Sequence, residues 1–212
     1  VPQWPYQEPR DPEAIDQLVK AYFESNYDII EMMRFLFNSE FFKSKDCWYE
    51  KVKSPAELVT GVMRLTEAVD RPEYEYPAKE QRMQFMGQTL MNPPSVEGWD
   101  GGTMWIDTGA LVERMNFASE ELGRLTTPGS EELFNKIASG GDREVLPDNI
   151  VDACLEHMGS IFIQDDTRAK LVNYAEANNV VRVSNNNIDE TGKESIAGVV
   201  RLIAATPEFQ RA

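Results

Sequence analysis

The chain has 212 residues, enough for one sizeable core or two small ones. Its 42% hydrophobic and 27% charged content is that of a folded protein, which excludes disorder over the whole length. Acids outnumber bases 36 to 21, for a formal charge of -15 with no offsetting Lys/Arg run, which excludes nucleic acid and disfavours an anionic membrane surface as partners.

Residues 1–10 are rich in Pro and aromatics and read as an extended lead-in. Val1-Pro2-Gln3-Trp4-Pro5-Tyr6 is neither an initiator methionine context nor a signal peptide, so the chain is expected to be a piece of a longer protein. Asp11-Pro12-Glu13 starts a helix: Asp caps, Pro fits the first turn, and Glu suits the positive end of the dipole. Ile15, Leu18, Val19, Tyr22 and Phe23 then form one apolar stripe. Asp28 is placed to cap a second helix through Asn38. Its apolar residues Ile29, Ile30, Met32, Met33, Phe35, Leu36 and Phe37 cover most of the circumference, which predicts burial on nearly all sides.

Ser54-Pro55-Ala56-Glu57 is a capping box, and Leu58, Val59, Val62, Met63 and Leu65 form the stripe behind it. Residues 78–91 read as a helix with Met83, Met86 and Leu90 inward. Asn92-Pro93-Pro94 cannot continue it, and Gly98, Gly101 and Gly102 free the backbone of a loop running to Trp105. Asp107 or Thr108 caps the next helix, which carries Leu111, Met115, Ala118 and Leu122. Thr126-Thr127-Pro128-Gly129-Ser130 is a connector dividing a region 1–125 from a region 126–212, the two expected to pack as one domain. Beyond it, helices are predicted at 130–139, 147–160, 166–178 and 192–205, with Val180-Val181-Arg182-Val183 as the one plausible strand and Ser184 to Lys193 as a loop.

The fold predicted is all-α, an orthogonal multi-helix bundle of about eight or nine helices with the Pro/Gly/Trp-rich loop packed on it. No apolar run reaches the length of a membrane span, which excludes membrane insertion. Cys47 and Cys154 fit two free thiols, or one disulfide in an exported protein. One internal echo stands out: Arg34-Phe35-Leu36-Phe37-Asn38-Ser39 leading to Phe42, and Arg201-Leu202-Ile203-Ala204-Ala205-Thr206 leading to Phe209. It predicts two helices that end alike, each with an aromatic folded back, and is too little for a repeat protein.

From about residue 16 onward the chain resembles the C-terminal half of the bacterial domain-of-unknown-function 1800 family. The matched stretches, in the family's order, begin with Tyr27-Asp28 and the helix ending Ser39-Glu40-Phe41-Phe42, then Val52-Lys53-Ser54-Pro55-Ala56-Glu57-Leu58-Val59 with Arg64 behind. Next come Met86-Gly87-Gln88, Pro93-Pro94-Ser95-Val96-Glu97-Gly98-Trp99, Gly101-Gly102 and Trp105-Ile106, the most specific group. Leu111-Val112-Glu113-Arg114-Met115-Asn116-Phe117-Ala118 and Thr206-Pro207-Glu208-Phe209-Gln210 complete the set. The chain departs from the pattern at Ser39-Glu40, where the family often has Pro after Ser, and lacks the family's N-terminal half. The resemblance implies a helical fold, a bacterial origin and an exported or envelope-associated parent; it implies no established activity and no catalytic residues.

Trp99 and Trp105 in the Gly-rich loop, with Gln88, Asp100 and Asp107 as polar partners, have the composition of a platform for a sugar ring or another ligand. The competing and favoured reading is that both Trp pin an irregular loop to the helices. Lys53, Glu57, Arg64, Arg114 and Asn116 either line a cleft or serve as caps and braces, with Arg114 bonding loop carbonyls; bracing is favoured. The candidate ligand-binding residues are therefore Trp99, Trp105, Gln88, Asp107 and Arg114. His157, the one histidine, has no Cys or second His nearby and reads as structural, which removes support for a Ser-His-Asp arrangement or a transition-metal site. Asn185, Asn187 and Asp189 alternate like the start of a calcium loop, but Glu190 stands where such a loop needs Gly and Ile196 where it needs Glu.

No motif calls for a cofactor or specifies an oligomeric state, and no catalytic set is assembled in the sequence. The leading expectation is a non-catalytic binding or interaction module of a larger exported bacterial protein, with protein or saccharide as partner. One alternative is a carboxylate-dependent hydrolase with part of its site in the missing N-terminal half; the other is a purely structural helical scaffold.

Overall fold

A computed structural model describes residues 11–47, 49–67, 76–99, 101–159, 161–178 and 180–211, so the predicted lead-in at 1–10 and Asp100 lie outside the described residues. The chain divides into two compact units, one ending at Glu50 and the other starting at Lys51. Among the described residues there are ten α-helices and one small sheet, so the all-α class holds.

The first unit holds α1 (Pro12–Glu24), α2 (Ile29–Asn38), α3 (Glu40–Lys43) and a 3₁₀ turn at Lys45–Cys47. The caps sit where the sequence places them. Asp11 Oδ1 accepts the Ala14 N–H at 3.0 Å, and Asp28 Oδ1 accepts the Ile30 N–H at 2.8 Å. Asn26 and Tyr27, both at positive φ, turn the chain between α1 and α2. Tyr27 meets Tyr22 and Phe23 edge to face, at centroid distances of 5.4 and 5.6 Å. The predicted burial of α2 does not hold. None of its residues is buried, and Ile29 and Ile30 are 62% and 67% exposed; among the described residues of its unit, the other α-helices are α1 and the four-residue α3.

The second unit holds α4 (Pro55–Leu65), α5 (Tyr76–Phe85), α6 (Thr108–Leu122), α7 (Pro128–Ala138), α8 (Pro147–His157), α9 (Asp165–Ala177) and α10 (Glu190–Ala204). Its core runs through Leu58, Val62, Phe117, Val151, Ile196 and Ile203, all closed to solvent. α10 lies along α6, so helices from both predicted regions, 1–125 and 126–212, share one core. α7 starts hard against the end of α4: the Gly129 N–H donates to the Thr66 carbonyl, and a Cβ on Gly129 would stand 2.0 Å from the Leu65 carbonyl oxygen.

The sheet corrects the sequence reading locally. The predicted strand at 180–183 is shifted to β2 (Arg182–Ser184), and it pairs antiparallel with β1 (Arg143–Glu144) and β3 (Asn187–Ile188). The stretch 184–193 is no loop. Asn185 and Asn186, at φ 52° and 56°, form a tight hairpin turn of the kind their side chains tolerate. α10 then begins two residues early, at Glu190, under an Asp189 cap.

The predicted echo is a shared local geometry. Ser39 Oγ donates to the Leu36 carbonyl at 2.6 Å and accepts the Phe42 N–H at 3.4 Å. Thr206 Oγ1 donates to the Ile203 carbonyl at 2.8 Å and accepts the Phe209 N–H at 3.3 Å. Phe209 is buried in its unit, whereas Phe42 is 43% exposed.

Candidate functional site

α5 ends earlier than the apolar pattern predicts, at Phe85 rather than Met91, because Gly87 takes φ +94°. The Gln88 N–H donates to the Met83 carbonyl and the Gly87 N–H to the Gln84 carbonyl, both at 2.9 Å. These are the paired bonds of a glycine-stopped helix end. Met83 and Met86 point inward as predicted, but Leu90, now beyond the helix, is 39% exposed. Arg82, on the last turn of α5, bonds Glu113 and Glu120 of α6 and fixes this end against that helix.

The loop after α5 turns at Ser95, whose carbonyl accepts the Gly98 N–H at 3.1 Å with Gly98 at φ +98°. It delivers Trp99, then a 3₁₀ turn at Gly102–Ile106 that carries Trp105, and closes on α6, where Asp107 Oδ1 accepts the Ala110 N–H at 2.8 Å. These pieces line an open pocket of about 260 Å³. Its apolar lining is Phe85, Met86, Pro94, Trp99, Met104 and Trp105. Gly87 and Gly109 contribute bare backbone, and Asp107 is the one charged residue among the described lining residues. Trp105 is buried over Gly87, with its Cζ3 3.9 Å from where a Cβ would be. Trp99 is half-buried, and its indole N–H is closed off from solvent with no hydrogen-bond partner among the described residues. Phe85 and Met104, each 61% exposed, form the outer rim.

The structure thus brings Trp99, Trp105 and Asp107 to one pocket. It does not form the open two-Trp platform, because Trp105 serves as floor rather than surface. Gln88 and Arg114 lie outside the lining. Gln88 Oε1 accepts the Ala56 N–H at 2.8 Å, satisfying a free donor in the first turn of α4. Nothing in the apolar periodicity marks Met86, Met104 and Gly109 as lining; the helix-stopping Gly87 was the available signal.

Arg114 is fully buried at the centre of the inner face of α6. Its Nε–H donates to Gln210 Oε1 at 2.9 Å and its Nη2 to the Lys53 carbonyl at 2.7 Å, while Nη1 has no partner among the described residues. Gln210 Nε2 donates to the Ala204 carbonyl, and the Lys53 N–H donates to the Gln210 carbonyl. Lys53 Nζ donates to the Phe209 carbonyl at 2.7 Å and lies 4.6 Å from the centre of the Phe209 ring. Burial pulls the Arg114 guanidinium down to about 10, still charged at neutral pH. Burial, then repulsion from Arg114, holds Lys53 below the usual amine range. This knot ties the start of α4, the middle of α6 and the segment after α10 together. Glu57 closes the capping box of α4, so Lys53, Glu57 and Arg114 act as caps and braces, while Arg64 and Asn116 are exposed, and the five do not line one cleft.

His157, on the last turn of α8, is half-buried, and burial lowers its pKa. Among the described residues no group of three His, Cys, Asp or Glu is placed to hold a metal. Cys154 is buried with its thiol pushed up to about 12, and Cys47 is exposed; both are free. Of the calcium-like series, Asn185 turns the hairpin, Asn187 Oδ1 accepts the Ile188 N–H, and Asp189 caps α10.

The fold and site define a class: a helical module with a buried cationic brace and a small pocket walled by Trp and Met. The chain belongs to the family described as protein of unknown function (DUF1800), whose model matches residues 4–211. No curated protein and no solved structure matches the chain.

Proposed function

We propose that the chain is a non-catalytic binding module of a larger, exported bacterial protein, and that the pocket between Trp99, Trp105 and Asp107 is its ligand site. The observation that carries this is the pocket itself: its side chains are apolar save Asp107, the one carboxylate among the described lining residues. Apolar walls with few convergent polar groups are the usual composition of a small-molecule site. The exported bacterial parent rests on the family resemblance. The hydrolase alternative needs a second carboxylate at a set distance, and Asp107 stands alone among the described lining residues. The scaffold reading draws support from the use of Gln88, Arg114 and Trp105 in bracing.

A thermal-shift screen with saccharides, peptides and nucleotides tests the proposal. A ligand at 100 times its Kd stabilises the native state by about 2.7 kcal/mol, an easily read shift. The expected result is that one class raises the midpoint of the wild type and leaves that of Trp99→Ala unchanged. If no class moves the wild type, the module has no small-molecule site and the scaffold reading replaces this one.

A further inference from the structure

We infer that the pocket takes an alkylated ammonium group, of the kind choline carries, beside its aromatic rings and Asp107; the inference rests on the binding-module reading above. The pocket is open to solvent, so its volume sets no limit on the length of a ligand. What the lining fixes is the sign of the charge it favours. Asp107 is exposed and is the one charged residue among the described lining residues. Its Oδ1 accepts the Ala110 N–H, and the carboxylate has further acceptor capacity. The N-terminus of α6 adds about half a positive charge there, less than the full negative charge of the carboxylate. Arg82, on the last turn of α5, is already engaged by Glu113 and Glu120. The chain as a whole carries a charge of -15. A cation is therefore drawn to this pocket and an anion is turned away.

The other side chains say which cation. Trp99, Trp105 and Phe85 put three aromatic rings on one lining, beside Met86, Met104 and Pro94. The face of an aromatic ring attracts a cation, Trp most strongly, and the attraction grows as the cation sheds water. A metal ion suits the pocket poorly, because it needs several oxygen ligands and the described side chains supply one carboxylate. A primary ammonium is compact and strongly hydrated, and apolar side chains offer nothing to replace its water. An alkylated ammonium is clad in carbon. Its methyl groups lie against Trp and Met while its charge stays within the field of Asp107. A neutral apolar group fills the same space but gains nothing from the carboxylate.

Isothermal titration with choline and with its uncharged tert-butyl isostere tests this, in the wild type, Asp107→Asn and Phe85→Leu. Asn still caps α6 and removes the charge. Leu at the exposed rim position keeps an apolar contact and removes a ring. Choline should bind the wild type, and the isostere about ten-fold more weakly or worse. The Kd for choline should rise about ten-fold in Asp107→Asn and about two- to five-fold in Phe85→Leu, the worth of one exposed ring. Phosphatidylcholine vesicles carry the same group on a lipid: binding to vesicles and choline supports a headgroup as its source, and binding to choline alone a free solute. If the isostere binds as well as choline, the pocket is only an apolar cleft and the ammonium assignment is overturned. If choline binds but neither variant changes its Kd, the site lies elsewhere and the assignment is wrong. If choline fails while the thermal-shift screen finds another class, the assignment falls and the binding-module reading survives. If both experiments are silent, both fall.

Discussion

Replacing Arg114 with Ala removes a guanidinium that has no solvent exposure and two protein acceptors. Gln210 Oε1 and the Lys53 carbonyl are left behind. Stranding a buried acceptor costs about 1–3 kcal/mol each, and the lost stem packing adds to this. Against it stands the relief of a charge that burial has already pulled down to about 10. We expect a net loss of about 2–4 kcal/mol, a lowering of Tm by about 5–15 °C in a chain of this size. Urea and thermal melts followed by far-UV circular dichroism measure it. Arg114→Lys should not rescue, because an ammonium cannot reach both acceptors in the plane that the fork provides. A double-mutant cycle with Gln210→Ala should show coupling of about 0.5–3 kcal/mol. A Tm for Arg114→Ala within about 1 °C of wild type, or zero coupling to Gln210, refutes the brace.

Three further outcomes are expected. Gly129→Ala should cost more than about 3 kcal/mol, since its Cβ would meet the Leu65 carbonyl at 2.0 Å, while Gly61→Ala, with open space around it inside α4, should stabilise by about 0.5–1 kcal/mol; paired urea melts check both, and equal effects contradict the packing of α4 on α7. A thiol reagent should label Cys47 in the native protein and reach Cys154 only after unfolding, because burial both hides that thiol and pushes it up to about 12; rapid native labelling of both contradicts this. His157 has a folded pKa below 6.5, so the folded state binds fewer protons than the unfolded one in that window. The cost of its imidazolium is full below the folded pKa and gone above 6.5, so stability should rise with pH through the window, and His157→Gln should flatten that rise in urea midpoints; an unchanged slope disproves the assignment.

The helix starts were legible because capping is local chemistry: Asp11, Asp28, Ser54 and Asp107 all act where their neighbours in sequence place them. The stop of α5 was missed although Gly87 was visible, because a run of apolar residues continues past it. Apolar periodicity failed in two instructive places. It predicted α2 as buried from apolar residues around most of its circumference, but periodicity does not say what an apolar face will meet, and none of the residues of α2 is buried. On α6 it aimed Ala118 and Leu122 inward correctly, but Leu111 and Met115, also aimed inward, are half-buried, and it missed Arg114, which is fully closed. Only partners 61 and 96 residues away, Lys53 and Gln210, make that burial tolerable, and no local pattern encodes them. The pocket was half legible. Trp99, Trp105 and Asp107 came from composition, while the depth of Trp105 and the distraction of Gln88 to α4 depend on tertiary packing.

The hydroxyls at the two matching helix ends must do two jobs at once. Each gives its proton to a carbonyl three residues back and takes the amide proton of an aromatic three residues ahead. Among the usual helix-capping residues an ionised Asp can perform only the second, since it has no proton to give. Glycine can perform neither through a side chain. The ordinary exchange of Ser or Thr for Asp or Gly is therefore closed at Ser39 and Thr206. A Ser39→Asp or Thr206→Asp protein would keep a cap in name while setting a carboxylate against a carbonyl oxygen, and Phe209, the ring sunk in the core, would register the error first.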